Sequence, residues 1–230
     1  MSPLTPEDLA AVALSLRVAA AATAFSLPFA FMVALLLARG RFPGRSVLDA
    51  AVHLPLVLPP VATGYVLLIL LGRNGPLGAP LAELGIVFAF DWTGAALASA
   101  VMAFPLMVRP IRLAIEAIDP EVDEVAMTLG ARPLVRLLRI TLPLAGPGII
   151  AGAVLGFAKA LGEFGATITF AAAIPGETLT LPTAIYQAVQ QPGGEGRALT
   201  LCAVATAIAV VAVIASNTLG RAVERPLRGR

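Results

Sequence analysis

Long apolar runs constrain this chain more than any other feature of its sequence. Five stretches are long enough to cross a hydrocarbon layer of about 30 Å, which takes roughly 20 residues of α-helix. They are residues 9–38, 52–71, 92–115, 142–161 and 198–219. The composition agrees, because 58% of the 230 residues are hydrophobic and only 13% are charged, unlike a water-soluble domain. We therefore predict an all-α, polytopic transmembrane helical bundle of five spans, forming a single domain over residues 1–230.

The stretch between the fourth and fifth runs, residues 162–197, is less apolar. It is interrupted by prolines and a glycine at Pro175, Gly176, Pro182 and Pro192. Since these residues break regular structure, we expect an irregular loop with a short helix around residues 183–190. A sixth, partial span in this stretch stays open.

Basic residues are distributed unevenly among the connections between the runs. Twelve of them flank the cytoplasmic connections of our topology, namely Arg39, Arg41, Arg45, Arg109, Arg112, Arg132, Arg136, Arg139, Arg221, Arg225, Arg228 and Arg230. The opposite connections hold Arg73 and Arg197. Because basic residues are retained on the cytoplasmic side, an odd number of spans predicts a periplasmic N-terminus and a cytoplasmic C-terminus.

The sequence lacks the residues that several classes of protein need for their function. Cys202 and His53 are the only cysteine and the only histidine, so the chain offers neither a disulfide framework nor a cysteine or histidine metal site. An intramembrane enzyme would need a buried nucleophile with a base, or clustered metal ligands. We find neither, and no aromatic-rich basic surface that would bind nucleic acid. The sequence thus predicts no enzyme, no cofactor and no nucleic-acid partner.

Residues 119–143, DPEVDEVAMTLGARPLVRLLRITLP, form the most informative segment. Asp119 can cap the free amides of a helix that begins at Pro120. Gly130 can take the left-handed conformation that ends this helix, and Pro133 can begin a second one. The segment is therefore predicted to be a helix, a turn and a helix, lying in the cytoplasm between the third and fourth spans.

The spacing within this segment resembles the EAA loop of importer-type ABC permeases. Glu124-Val125-Ala126 is followed after three residues by Gly130, after nine more by Ile140, and then by Leu142-Pro143. Val125 replaces the usual alanine. In that family the loop forms a coupling helix that docks on a cytoplasmic ATPase subunit. The resemblance implies an ATPase-coupling surface at Glu124, Ala126, Gly130, Ala131 and Pro143.

The chain has no GxxxxGK[ST] phosphate loop, so it has no site of this kind for ATP. ATP and Mg²⁺ are therefore expected on the partner ATPase.

Three further stretches narrow the resemblance. They are HLPLVLPPVATGY at 53–65, AVMAFPLMVRPIRLAIE at 100–116 and LGEFGATITFAAAIPGETLTLPTAIY at 161–186. Together they are similar to the permease subunits of bacterial molybdate transporters. That resemblance implies molybdate import across the inner membrane, delivery by a periplasmic binding protein, and a homodimer of permeases in the lipid bilayer. Permeases for sulfate, thiosulfate or tungstate stay open as alternatives, since all of these substrates are oxyanions.

The translocation pathway is expected to offer only weak polar contacts, since tight binding would slow release of the ion. Candidates are the hydroxyl groups and backbone amides of Thr63, Gly162, Glu163, Gly165, Thr167 and Thr169. Arg17, Lys159 and Glu163 are charged groups within or beside the spans, where charge is costly. Lys159 and Glu163 are four residues apart and can pair on one helix, so structural roles for these charges stay open.

A secondary transporter or channel is the competing class within the membrane. It would typically carry more spans, often as inverted repeats, and would have no use for a docking loop with EAA spacing. Transport that persists without ATP in reconstituted vesicles would favour that class.

The topology predicts that cysteines introduced at Ser2 and Gly229 react with a membrane-impermeant reagent from opposite sides of the membrane. The measurement uses a Cys202→Ser background, so that only the introduced thiol is labelled. Labelling of both positions from the same side would contradict the odd number of spans and would place a sixth span in residues 162–197.

Overall fold

The structure is a computed structural model that describes residues 4–228, without the side chains of residue 213 and residues 215–228. Every regular element in this range is helical. The helices are α1 Pro6–Arg39, α2 Arg45–Val57, α3 Pro60–Leu71, α4 Gly78–Glu83, α5 Trp92–Glu116, α6 Pro120–Thr128, α7 Pro133–Arg136, a π-helical turn Leu137–Thr141, α8 Leu142–Leu144, α9 Gly146–Leu161, α10 Gly165–Ala171, α11 Leu181–Gln190 and α12 Glu195–Arg228. The predicted all-α membrane bundle is confirmed.

Among the described residues, three helices are individually long and apolar enough to cross a bilayer: α1, α5 and the part of α12 over Glu195–Ala212. Two more candidates are bent pairs of helices, α2 with α3 at 114° and α7–α8 with α9 at 66°. The second and fourth predicted spans are thus broken rather than straight. At the first break Leu58 is extended, with ψ 144°, because the residue before a proline is driven out of the α region.

The region between α9 and α12 contains two short helices. α11 confirms the helix expected near residues 183–190, whereas α10 was not predicted. With 7 and 10 residues, neither reaches the roughly 20 residues that a helical crossing needs. The possible sixth span therefore does not appear as a single helix.

The core of the bundle is the contact of α5 with α1 and α9. Alanines of α1 and residues of α5 such as Met107 and Ile111 are fully buried there. On α9, glycines recur every four residues at Gly148, Gly152 and Gly156. A Cβ atom at Gly152 would lie 2.9 Å from the carbonyl oxygen of Met107, so only glycine allows this approach. Small residues at fourfold spacing are typical of helices packed within membranes.

Ion pairs lie at both ends of the bundle. Arg112 binds Asp49 at 3.1 Å and Glu116 at 2.8 Å, joining α5 to α2. At the opposite end of the long helix α1, Arg197 contacts Asp8 at 2.7 Å. The side chains of Arg221, Arg225 and Arg228 lie outside those that the structure describes, and Ser2, Gly229 and Arg230 lie outside the described residues.

The packing of α9 on α5 predicts that Gly148→Ala lowers the thermal stability of the purified protein in detergent. The new Cβ would meet the Cβ of Ala114 and would lie 2.7 Å from the carbonyl oxygen of Pro110, and neither atom can turn aside. Overpacking costs about 1–3 kcal/mol, more than the roughly 0.5–1 kcal/mol that alanine contributes over glycine in a helix.

Gly196→Ala on α12 is the matched control, because a Cβ there meets no atom within 4 Å. Its unfolding midpoint should stay unchanged or rise slightly. Equal midpoints for the two variants would contradict the close contact between α5 and α9.

Candidate functional site

The segment between α5 and α9 begins with a helix that is capped at both ends. The Asp119 carboxylate accepts a hydrogen bond from the backbone N–H of Glu121 at 2.9 Å. At the other end Gly130 has φ +77°, and the N–H of Ala131 donates to the carbonyl of Ala126 at 3.0 Å. This bond is the outer bond of a Schellman motif. The predicted helix, turn and helix are confirmed, and Ala126 and Ala131 are the residues that close the turn.

Helix α6 has an exposed face and an inner face. Val122, Val125 and the following residue Leu129 are 41%, 58% and 82% exposed. Glu124 is exposed as well, and it lines the cavity between α6 and the ends of α1 and α5. Ala126 is 8% exposed and faces inward, so its small side chain lets α6 lie close to the bundle. Exposed apolar residues grouped in this way are typical of a protein-binding surface. Among the predicted coupling residues, Glu124 and Gly130 are thus exposed, and Ala126 supports the helix from behind.

The π-helical turn before α8 has a local cause. Pro143 has no N–H, and its ring clashes with the carbonyl of the residue four positions earlier. The chain widens here, and the N–H of Leu142 donates to the carbonyl of Leu137, five residues back. Pro143 is exposed, so this predicted coupling residue shapes the chain that leads from α7 into α9.

Sequence reasoning missed the inner face of α6. Asp123 lies there, and its carboxylate contacts Arg39 at the end of α1 and Arg136 at the end of α7. In the sequence Asp123 appears only as one of several acids in a first helical turn. Arg39 is 84 residues away, and no local pattern connects two residues at that distance.

The pathway candidates are brought together where α3 packs against α10. A Cβ atom at Gly64 would lie 2.6 Å from the carbonyl oxygen of Ala166, and one at Gly165 would lie 2.8 Å from the Cβ of Pro60. The backbones of the two helices are therefore in contact. This contact places Thr63 on α3 beside the start of α10, which carries Gly165, Thr167 and Thr169.

The hydroxyl groups of these threonines differ in their partners. Thr167 donates to the carbonyl of Phe164 at 2.9 Å, and Thr169 donates to the carbonyl of Gly165 at 2.8 Å. The buried hydroxyl of Thr63 has no hydrogen-bond partner among the described residues. Gly162 is exposed at the end of α9. Thr63 is accordingly the threonine of this group whose hydroxyl is not already used by its own helix.

Glu163 is buried at the corner between α9 and α10, with its side chain 1% exposed. One carboxylate oxygen accepts from Lys159 Nζ at 2.6 Å, and the other accepts from the backbone N–H of Ala166 at 3.0 Å. The pairing expected from the spacing of Lys159 and Glu163 is confirmed. The carboxylate holds a free amide in the first turn of α10, so Glu163 positions that helix.

Arg17 and His53, a charged residue within a span and the single histidine of the sequence, also contact other groups. The guanidinium of Arg17 lies 3.7 Å from the centroid of the Trp92 ring, joining α1 to α5. His53 Nδ1 lies 2.9 Å from the carbonyl oxygen of Asp49 on the same helix. Among the described residues no group of three or more His, Cys, Asp or Glu is arranged to hold a metal ion.

Comparisons with known proteins agree with this geometry. The sequence profile of a family described as the binding-protein-dependent transport system inner membrane component matches residues 26–229. The chain is similar to the molybdenum transport system permease protein ModB of Escherichia coli (strain K12), at 53% identity over 99% of each chain. It is also similar to ModB of Haemophilus influenzae, at 48% identity over 96% of each chain.

The fold is similar to that of a chain in a solved complex, a bacterial alginate ABC transporter with its alginate pentasaccharide-bound periplasmic protein. The TM-score is 0.76 at 22% sequence identity, covering 95% of this chain and 80% of that one. At this identity the likeness concerns the fold.

The ion pair at the corner between α9 and α10 predicts that removing the charge of Lys159 and removing that of Glu163 lower the stability of the protein by different amounts. Lys159→Met leaves the buried carboxylate of Glu163 without its cation, and breaking a buried pair in this way costs about 3–5 kcal/mol. Glu163→Gln should cost less, because Lys159 is 29% exposed and its ammonium can reach toward water. Thermal unfolding in detergent measures both variants.

The double variant Lys159→Met with Glu163→Gln is the control, since it removes both charges and keeps the amide oxygen as an acceptor for Ala166. It should be more stable than Lys159→Met alone. A Lys159→Met protein as stable as the wild type would contradict the pairing.

Proposed function

The chain belongs to the family of inner membrane components of binding-protein-dependent transport systems, and from this premise we propose that it is the permease subunit of an ATP-driven molybdate importer. The observation that carries the proposal is the capped helix α6, which presents Glu124 and an apolar face between two membrane-spanning elements. The substrate is supported by the relatives named above, whose molybdenum permeases match nearly the whole chain.

Coupling would run through α6 as a stiff unit. The helix is capped by Asp119 and closed by the turn at Gly130, so a push on its exposed face displaces the whole helix rather than bending it. It is joined by one short connection to α5 and by another, through α7 and α8, to α9. Since α5 and α9 pack directly on each other, a displacement of α6 acts on the core of the bundle. Rigid-body shifts of packed helices are an established form of such transitions.

The partner of α6 would be a cytoplasmic ATPase subunit that binds ATP and Mg²⁺, while this chain contributes the pore and no catalytic group. This assignment requires the end of the bundle with Arg39, Arg112 and Arg136 to face the cytoplasm, in keeping with the retention of basic residues there. The N-terminus would then be periplasmic and the C-terminus cytoplasmic.

The pathway would form between two copies of the chain, because three straight and two broken candidate spans are few to enclose one. A twofold axis through the pore is the usual arrangement for such a pair. A periplasmic binding protein would deliver the ion, so selection can occur before the permease is reached. The α3–α10 pair is our candidate for the weak contacts along this pathway, because the hydroxyl of Thr63 has no hydrogen-bond partner in the part of the chain that the structure describes.

Sulfate, thiosulfate and tungstate remain the alternative substrates within the same importer class. They are oxyanions like molybdate, and hydroxyl groups and backbone amides can donate hydrogen bonds to the oxygens of each. The family assignment applies to each of these substrates, and so does coupling through residues 119–143, which we call the docking segment. Measurements of uptake therefore have to distinguish the substrates.

The test uses the permease reconstituted in vesicles with its ATPase and its binding protein. We expect molybdate uptake that requires ATP, with little competition from excess sulfate. Uptake without ATP would overturn the importer assignment, and efficient sulfate uptake would move the substrate to the alternative. Cross-linking of the same complex distinguishes two identical permease copies from two different ones.

The docking segment predicts that Glu124→Lys weakens retention of the ATPase. The change places a positive charge at an exposed position of α6 and removes an acceptor available to the partner. Pull-down of the ATPase with tagged permease measures retention. Glu83→Lys is the matched control, because Glu83 is an exposed glutamate at the end of α4, which precedes α5 and lies far from α6 in the chain.

Gly130 provides a second, backbone-based variant of the same prediction. Gly130→Val forces a β-branched residue to a positive φ, where it is strongly disfavoured, and should impair ATPase retention or uptake. Gly130→Asn is its control, since asparagine visits this conformation readily. If Glu124→Lys and Gly130→Val both keep full retention and uptake, the segment is only a connection.

A further inference from the structure

The inner face of α6 is joined to the bundle by charge rather than by extensive packing. Ala126 is the buried residue of this helix, and a cavity of about 690 Å³ lies between α6 and the ends of α1 and α5. Asp123 is three residues before Ala126 and shares its face. Its carboxylate is therefore placed to contact charged groups of the neighbouring helices.

One carboxylate oxygen of Asp123 is shared by two guanidinium groups. Oδ2 lies 3.3 Å from Nη1 of Arg39 and 3.1 Å from Nη1 of Arg136. Arg39 is the last residue of α1, and Arg136 is the last residue of α7. The three side chains are 18–34% exposed, so water screens these contacts less than those of a fully exposed pair.

The contact with Arg39 matters because of where α1 lies in the chain. The docking segment is continuous with α5 and α9, which receive any movement of α6 through the backbone. α1 is 84 residues away at the point of contact, so a direct link from α6 to its end has to be non-covalent. Among the described residues Asp123 provides this link.

We propose that Asp123 is a positioning residue that joins the docking helix to α1 and α7, so that a displacement of α6 reaches the first transmembrane helix as well as α5 and α9. The inference rests on the proposed function, because it takes α6 to be the helix that an ATPase moves. Removing the Asp123 charge then leaves the exposed docking face intact and disconnects α1 from it.

The experiment compares Asp123→Asn, Arg39→Gln and the double variant in the reconstituted complex, with molybdate as the transported ion. ATPase retention, ATP hydrolysis and molybdate uptake are measured together. We expect retention and hydrolysis near wild type, with molybdate moved per ATP reduced roughly fivefold or more in both single variants. The double variant should be no worse than Asp123→Asn alone, because both changes break the same contact.

Glu121→Gln is the matched control, since it removes one exposed carboxylate from the same helical turn and should leave the ratio of molybdate to ATP unchanged. Arg39→Lys keeps the cation and should preserve a large part of that ratio. Because Arg39→Gln changes a different helix, it tests the contact even if Asp123→Asn fails to reach the membrane.

Three results would overturn the inference: an unchanged ratio in Arg39→Gln, losses that multiply in the double variant, or loss of ATPase retention in Asp123→Asn. The last would make Asp123 part of the docking surface instead. The wild-type complex separates this failure from that of the proposed function. If wild-type permease moves no molybdate with ATP, the function fails, whereas coupled wild-type uptake with unaffected variants refutes the inference alone.

Discussion

The close contact between α5 and α9 is the constraint on which the rest of this structure depends. These helices flank the docking segment in the chain, and their glycine-lined interface fixes the distance between the two ends of that segment. Apolar side chains gain little from meeting each other in lipid, so packing of this kind relies on close approach. Larger residues in place of the α9 glycines would move α9 away from α5, and the two ends of the segment that contains α6 would move apart with them. A helix that transmits movement needs rigid attachments at both ends.

Two carboxylates lie at corners of this bundle. Glu163 lies where α9 turns into α10, and Asp123 lies where the docking helix meets α1 and α7. In both cases a carboxylate is contacted by groups from more than one direction: Lys159 and a backbone amide around Glu163, and two arginines around Asp123. A buried carboxylate is costly without such partners. Each corner is therefore held in a particular geometry by the need to keep its charge satisfied.

Much of the fold and part of the site were predictable because their causes are local. Apolar runs long enough for lipid predict the spans, the proline and glycine positions of the docking segment predict its two helices, and the four-residue spacing of Lys159 and Glu163 predicts their pair. The bends at Leu58 and Ala145 were harder to predict, since a proline indicates where a helix breaks but does not determine the angle between its two parts. α10 was missed because its seven residues are helical through contacts with α3 and α5 rather than through any period in the sequence.

The sequence by itself determined that this chain is a membrane bundle with a capped helix between its third and fourth spans, because hydrophobic length and helix capping act between residues close in the chain. Only the tertiary structure decided which groups meet across it: Thr63 beside the start of α10, Arg17 on Trp92, and Asp123 between Arg39 and Arg136. It also decided that Ala126 is buried while Glu124 is exposed. These contacts join residues tens of positions apart, and they depend on how the helices bend and pack, which no local pattern specifies.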